Sequence, residues 1–439
     1  MPLTRGRILL LSVGMGRSDY ERESLINPLL KSIGSEPWTR VILLPSQESL
    51  PSAETVRAES PVQDTVIKSL PEARQEENAD ACFDHYRKVI EQEIDQGAGP
   101  GSIVVDFTRG TKAMSAALVL AAVRCDIPVV RYLGAEPGGR DDANLVKPGK
   151  ERIVDIVTTM ATAWKRLDAA DRFFQHGNFS AAAETTSETN LFPDDELRDA
   201  ARFGNALANV YATWDRLDYR AAWKLMEGLD SLPAHQRFQC YMPTPEQRNL
   251  LQALATEFDR NNHAAMATQL RRICADLLAN AERRLRDGQF EDAYVRAYRI
   301  LELVGQARLF ENNLDSSNIP ADHPAALALN KKMSKKNKGD SLPCNKHGQH
   351  YLAREHAARF LKQLSDPLGK TLLTLADELY FISNRNHSIL IHGFTTAGTM
   401  DALAAQAELA RLEKLLHDDS PTTAPHQLAA ARAMRFGAR

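Results

Sequence analysis

The chain has 439 residues, 43% of them hydrophobic and 25% charged, which is ordinary for two or three globular domains and excludes a wholly disordered or collagen-like polymer. Lys plus Arg number 54 against 57 Asp plus Glu, and a formal net charge of −3 supplies no global drive toward nucleic acid, so any RNA contact has to be local. Cysteines are few and scattered (Cys82, Cys125, Cys240, Cys274, Cys344), no signal-peptide pattern follows Met1, and no apolar run approaches the roughly 18–20 residues of a bilayer span; a cytoplasmic location is expected.

The first ~150 residues alternate short apolar runs with helix-like stretches, the pattern of a parallel α/β sheet covered on both faces. Strands are predicted over residues 7–13, 41–46, 103–107 and 127–133, with further strands over 65–70 and 153–157. Helices are predicted over 19–32, 79–96 and 112–124, whereas the acidic, proline-containing stretch 47–79 shows no clear period. Beyond about residue 160, Ala, Leu, Arg and Glu dominate at helical spacing, so the remainder is read as all-α. Three segments echo one another: Gly177-Asn178-Phe179, Leu217-Asp218-Tyr219 and Gly288-Gln289-Phe290, each followed by small residues. A turn pair, an aromatic and then alanine suit a tight corner between helices. The run 331–338 holds five lysines in eight residues and reads as a solvated loop, with RNA-backbone contact as the minority alternative. Cys344, His347 and His350 have the spacing of metal ligands but lack a fourth nearby, and no metal is expected.

Two constellations carry chemistry. In the first, the strand ending at Asp106 runs into Thr108, Arg109, Gly110, Thr111 and Lys112 at the start of a helix, where N–H groups, hydroxyls and cations suit phosphate or ribose oxygens. Loops holding Gly14, Met15, Gly16 and Arg17, and Ser46, follow the first and second strands, so all three lie at the edge where open parallel sheets place ligands. Neither a dinucleotide fingerprint nor a Walker A loop fits; the bland alternatives are that Thr108 caps the helix and Asp106 orders the loop. In the second, Arg385 and His392 are seven residues apart, which on a helix puts them about 20° apart on one face with Ser388 between them. An arginine can hold a phosphate and a histidine can move a proton near neutral pH, so the pair suits phosphodiester cleavage. Upstream, Arg299 and Glu302 form either a simple i,i+3 ion pair or a second layer supporting that face.

Together, Ser12-Val13-Gly14-x-Gly16, Asp106-x-Thr108-x-Gly110-Thr111-Lys112-x-Met114, the Gln289 to Glu302 helix and Arg385-Asn386-x-Ser388-x-x-x-His392 resemble the CARF-HEPN ribonucleases of type III CRISPR systems. The resemblance implies a Rossmann-like CARF domain (1–158) and a HEPN domain (271–439), with the helices of 159–270 either a linker region or part of an enlarged HEPN domain. It also implies a homodimer that binds a cyclic oligoadenylate, tetra-adenylate being the preferred ring size, through Gly14, Met15, Gly16, Arg17, Ser46, Thr108, Arg109, Gly110, Thr111 and Lys112. Occupancy would switch on metal-independent cleavage of single-stranded RNA by Arg385, Asn386 and His392, supported by Arg299, Glu302 and Ser388. Arg109 departs from the pattern, which usually has glycine there. The alternatives are a sensor or regulator without ribonuclease activity, and a protein that degrades its own activator.

Overall fold

The computed structural model describes residues 6–15, 21–141, 146–147, 149–381 and 402–432. It divides into two compact units, Met1–Asp168 with Glu188–Ala201, and Ala169–Ser187 with Arg202–Arg439.

The first unit is built on a six-stranded sheet of order β3-β2-β1-β4-β5-β6. Its strands are β1 (Ile8–Val13), β2 (Arg40–Pro45), β3 (Thr65–Ile67), β4 (Ile103–Asp106), β5 (Val129–Ala135) and β6 (Glu151–Val157). Side-chain alternation sorts the apolar residues onto two faces. Leu9, Leu11, Val13, Val41 and Leu43 pack with α1 (Asn27–Ile33) and α2 (Leu50–Glu59), while Leu10, Ile42, Leu44 and Val105 pack with α3 (Ala79–Asp95) and α4 (Lys112–Arg124). The near-continuous Leu/Ile/Val runs seen in the sequence are thus strands buried on both sides. Helix starts have local causes: Asn78 accepts from the N–H groups of Asp80 and Ala81, both at 3.1 Å, to open α3. The unpatterned stretch 47–79 contains α2 and β3; α2 buries Ser52, Ala53 and Val56 at helical spacing, but two of these three are small or polar, so the sequence displays no apolar stripe.

The expected parallel sheet is found, with one antiparallel edge. Strands β1 to β5 pair in parallel, but β6 runs antiparallel to β5. The two strands face each other as the arms of a hairpin, from Val129 opposite Val157 to Ala135 opposite Glu151. The pair is reinforced by Arg131, 2% exposed, whose Nε donates to its cross-strand partner Asp155 at 2.7 Å.

The second unit is all-helical. Its centre is a hairpin of α10 (His263–Arg286) and α11 (Phe290–Glu311), numbered after α5 (Thr159–Gln175), α6 (Phe179–Ser187), α7 (Asp195–Asp215), α8 (Tyr219–Leu229) and α9 (Pro245–Ala255). Around the hairpin lie α12 (Pro324–Lys336), α13 (Arg354–Gln363), α14 (Pro367–Glu378), α15 (Ala402–Asp419) and α16 (Ala424–Arg432). The Asp419 carboxylate, almost fully buried, accepts from Arg271 Nε and Arg308 Nη2, each at 2.7 Å, and so fastens the end of α15 to both arms of the hairpin. The lysine run is not a loop: Lys331, Lys332, Lys335 and Lys336 complete α12, whose opposite face buries Ala325, Ala326 and Leu329. Lysine is a good helix former, and His323 accepts the Ala325 N–H to start the helix.

The three echoed segments are helix corners. Gly177, Leu217 and Gly288 take positive φ of 71°, 67° and 73°, and α6, α8 and α11 begin two residues later. Phe179 is buried and stacks on Tyr211, with ring centroids 4.9 Å apart, and the Tyr219 hydroxyl donates to buried Asp276 at 2.9 Å. Gly288 and Gly228, the latter inside α8, both have open space where a Cβ would stand, and only Gly288 has positive φ. Alanine is therefore expected to destabilise by about 1 kcal/mol at Gly288 and to stabilise by about 0.5–1 kcal/mol at Gly228. Denaturant unfolding of the two variants checks the opposite signs.

Candidate functional site

The strand order reverses between β1 and β4: β2 and β3 lie to one side, β5 and β6 to the other. At such a switch point the loops leaving the two central strands diverge and open a crevice. Here they also touch. A Cβ on Gly14 would lie 2.9 Å from both the Cα and the N of Gly110, so the two loops meet backbone to backbone. Gly110 has φ +152°, a conformation that L side chains rarely adopt, and its own Cβ would crowd Met114 at 3.2 Å.

Asp106, fully buried at the end of β4, holds the third side together. Its Oδ1 accepts the Thr108 N–H at 2.7 Å and the Thr108 hydroxyl, and its Oδ2 accepts from Ser32 Oγ of α1 at 2.5 Å. Burial, the largest influence, raises the Asp106 carboxyl above its ordinary value, against the Ser32 and Thr108 hydrogen bonds and the Arg131 cation, which lower it. Thr108 Oγ1 also accepts the Leu133 N–H at 2.9 Å, which links the loop to β5. The helix cap is Thr111 rather than Thr108: Thr111 Oγ1 accepts from Met114 N at 3.2 Å and donates to the Glu76 carbonyl.

The cations of this loop differ in setting. Lys112 is exposed in the first turn of α4, while Arg109 is half-buried with a buried Nε that has no hydrogen-bond partner. Burial lowers the Arg109 guanidinium from its ordinary value, and the negative charges of Asp106 and Glu151 act against that. On the far side, Ser46 joins the crevice through Ser49: the two hydroxyls lie 3.1 Å apart, and Ser49 Oγ donates to the Val13 carbonyl at 2.6 Å. Met15 is 67% exposed beside Gly14. The structure therefore brings Gly14, Met15, Ser46 and residues 108–112 to one edge of the sheet.

The sequence reading misses Ser32 and takes Ser49 only as the end of the loop that begins at Ser46. The signal for Ser49 is the spacing Ser46-x-x-Ser49 before a proline-led helix; for Ser32, which reaches Asp106 from 74 residues away, there is none. Gly16 and Arg17 of the activator set, and Arg385, Asn386, Ser388 and His392, lie outside the described residues. Arg299 and Glu302 form the i,i+3 ion pair on α11. Cys344 Sγ lies 3.1 Å from His350 Nδ1, and Asn330 Nδ2 lies 3.2 Å from His350 Nε2, but among the described residues no three His, Cys, Asp or Glu side chains are gathered to hold a metal ion. No helix among them is long and apolar enough to cross a membrane.

Replacing Asp106 by alanine leaves the buried Ser32 hydroxyl and the Thr108 N–H without their acceptor, and a loss of about 2–3 kcal/mol is expected; Asp106→Asn keeps an acceptor for Thr108 and is expected to cost less than half as much. Denaturant unfolding of both variants measures this, and equal losses would mean that the charge rather than the hydrogen bonds matters.

Comparison with known proteins bears on both units. No curated protein matches the sequence. Residues 262–415 match the family described as the Csm6 HEPN domain. Among solved structures, the fold is similar to that of Enterococcus italicus Csm6 bound to cyclic hexa-2′-fluoro-hexa-dAMP, with a TM-score of 0.50 and 12% identity over 98% of this chain and 99% of that one. Residues 262–415 thus match the Csm6 HEPN domain family, and the chain has the α/β-then-helical fold of the Enterococcus italicus Csm6 structure.

Proposed function

We propose that this protein is a cyclic oligoadenylate-activated endoribonuclease of type III CRISPR defence, acting on single-stranded RNA as a homodimer. The observation that carries the reading is the pairing of a crevice at the β1/β4 switch point, closed by Gly14 against Gly110 and bearing Arg109 and Lys112, with a HEPN domain at 262–415 that spans Arg385 and His392. The crevice has what an anionic nucleotide needs. Arg109 and the exposed Lys112 supply two cations, the start of α4 presents N–H groups, and the contact of Gly14 with Gly110 makes the floor between the two loops main chain. The Enterococcus italicus protein was solved with a cyclic six-nucleotide ligand, which places hexa-adenylate beside tetra-adenylate as a ring size for trial.

In the proposed reaction the RNA 2′-oxygen attacks its adjacent phosphorus, the P–O5′ bond breaks, and the products carry a 2′,3′-cyclic phosphate and a 5′-hydroxyl. The electron pair leaves with O5′, which takes up a proton, while the 2′-hydroxyl loses one. Arg385 stabilises the charge that develops on the phosphate oxygens, His392 acts in proton transfer, and Asn386 orients the pair. Each chain supplies one Arg and one His, so two copies about a twofold axis complete a composite cleft. A twofold-symmetric activator then selects one dimer geometry by binding it better than the other.

The test is cleavage of a fluorogenic RNA by the full-length protein in EDTA, with cyclic tetra- or hexa-adenylate or neither. Cleavage is expected only with a cyclic ligand, and His392→Ala is expected to lower its rate by about 100-fold or more while ligand binding persists. Arg109→Gly is expected to weaken activator binding by about tenfold without lowering the rate at saturation. Ligand binding with no cleavage in the native protein would instead establish a sensor without ribonuclease activity.

A further inference from the structure

A second polar cavity, of about 470 Å³, lies in the helical unit, among the corners that precede α6 and α11 and the end of α7. One wall is the first turn of α6. Gly177, at φ +71°, turns the chain so that Asn178 caps this turn, its Oδ1 accepting from Ala181 N at 3.3 Å, and Ser180 stands exposed at the rim. N–H groups at the start of a helix favour negative charge. The facing wall is basic: Arg216 at the end of α7, and Arg283 and Arg284 in the last turns of α10.

Arg283 is the unusual member. It is 3% exposed and lines the cavity, its Nε donates to Asp215 Oδ1 at 2.9 Å, and both its Nη nitrogens are buried with no hydrogen-bond partner. A guanidinium has five N–H donors, four of them on these two atoms, and buried donors of a charged group are ordinarily satisfied. The acidic groups around it are already engaged. Asp215 also accepts from Asn280 at 3.1 Å and from Arg284, Asp287 accepts from Arg286 at 3.1 Å, and Asp276 accepts from Trp214 at 3.0 Å and from Tyr219. Arg216 is exposed, with a bond to Thr213 Oγ1 at 3.2 Å, and extends the basic wall to solvent.

We propose that this cavity is an oxyanion site that receives a nucleotide phosphate, with Arg283 as its buried donor, Arg216 as its exposed cation and the first turn of α6 as its opposing wall. The group is carried either by a strand of RNA or by a free mononucleotide. This site is separate from the crevice of the α/β unit and does not depend on the ribonuclease reading.

The full-length protein is titrated with inorganic phosphate, with 5′-AMP, and with dye-labelled 2′-O-methyl oligouridylates, which a 2′-hydroxyl mechanism cannot cleave, bearing a 5′-phosphate or a 5′-hydroxyl. The variants are Arg216→Glu, at an exposed position, and Arg283→Gln, each checked by circular dichroism and thermal melting. Both are expected to weaken binding of at least one nucleotide probe by tenfold or more. Oligonucleotides that bind alike with either 5′ end, and better than AMP, identify a backbone phosphate; AMP binding as tightly as the phosphorylated oligonucleotide identifies a mononucleotide. Absence of binding to the native protein, or binding that a folded Arg216→Glu protein retains in full, overturns the proposal.

Discussion

Where β1 and β4 deliver their loops to the same edge of the sheet, two backbones meet at a separation that only glycine permits, and Asp106 fixes the loop on the β4 side. Gly14 and Gly110 have no room for a Cβ, so the crevice floor is main chain, and the side chains that surround it come from positions the backbone already determines. Asp106 is fully buried, and its oxygens are used by Ser32 of α1 and by Thr108 of its own loop. A displaced loop would leave these groups unsatisfied inside the protein, which is why a short polar segment after an apolar strand keeps one conformation. Thr108 and Thr111 therefore do structural work with the same atoms that make the loop polar. Arg109 and Lys112 remain the cations available to a ligand.

The helical unit solves a different problem. Its three corners turn through residues with positive φ, and the aromatic residues just beyond them are buried at Phe179 and partly buried at Tyr219 and Phe290. Such corners bring helix ends together, and helix ends carry the unpaired backbone groups and the charged caps. The basic last turns of α10 and the first turn of α6 meet for that reason, which accounts for a polar cavity inside an otherwise alanine- and leucine-rich bundle. In the ion pair of Asp419 with Arg271 and Arg308 the buried carboxylate is bonded from both arms of the hairpin, whereas both Nη nitrogens of Arg283 have no hydrogen-bond partner, and that is the basis for proposing a ligand there.

Much of the architecture was legible because the periodicities are strong. Apart from Ser12 and Asp106, residues 8–13 and 103–106 are apolar, as strands buried on both faces largely are, and α4 begins at Lys112 where the polar loop ends. The corners at 177, 217 and 288 were legible from turn residues next to aromatics. The run 331–338 misled because charge density signals exposure, and exposure does not separate a loop from the outer face of a helix; the buried Ala325, Ala326 and Leu329 lie before the run. The direction of β6 was hidden because parallel and antiparallel edge strands share one composition, and only the hairpin connection decides between them.

For the site, local spacing placed Gly14, Ser46 and residues 108–112 at strand ends, and a parallel sheet puts such ends on one edge whatever the details of packing. That much the sequence determined alone, together with the helical character of the second unit and the match of residues 262–415 to the Csm6 HEPN domain family. What the tertiary structure decided are the contacts between residues far apart in the chain. Ser32 on Asp106 spans 74 residues and Ser49 on Val13 spans 36, and the approach of Gly14 to Gly110 and the lack of hydrogen-bond partners at the Arg283 Nη nitrogens are likewise non-local. Hydrogen-bond satisfaction and steric room belong to surfaces brought together by folding, and neither has a period or a spacing that one stretch of sequence can display.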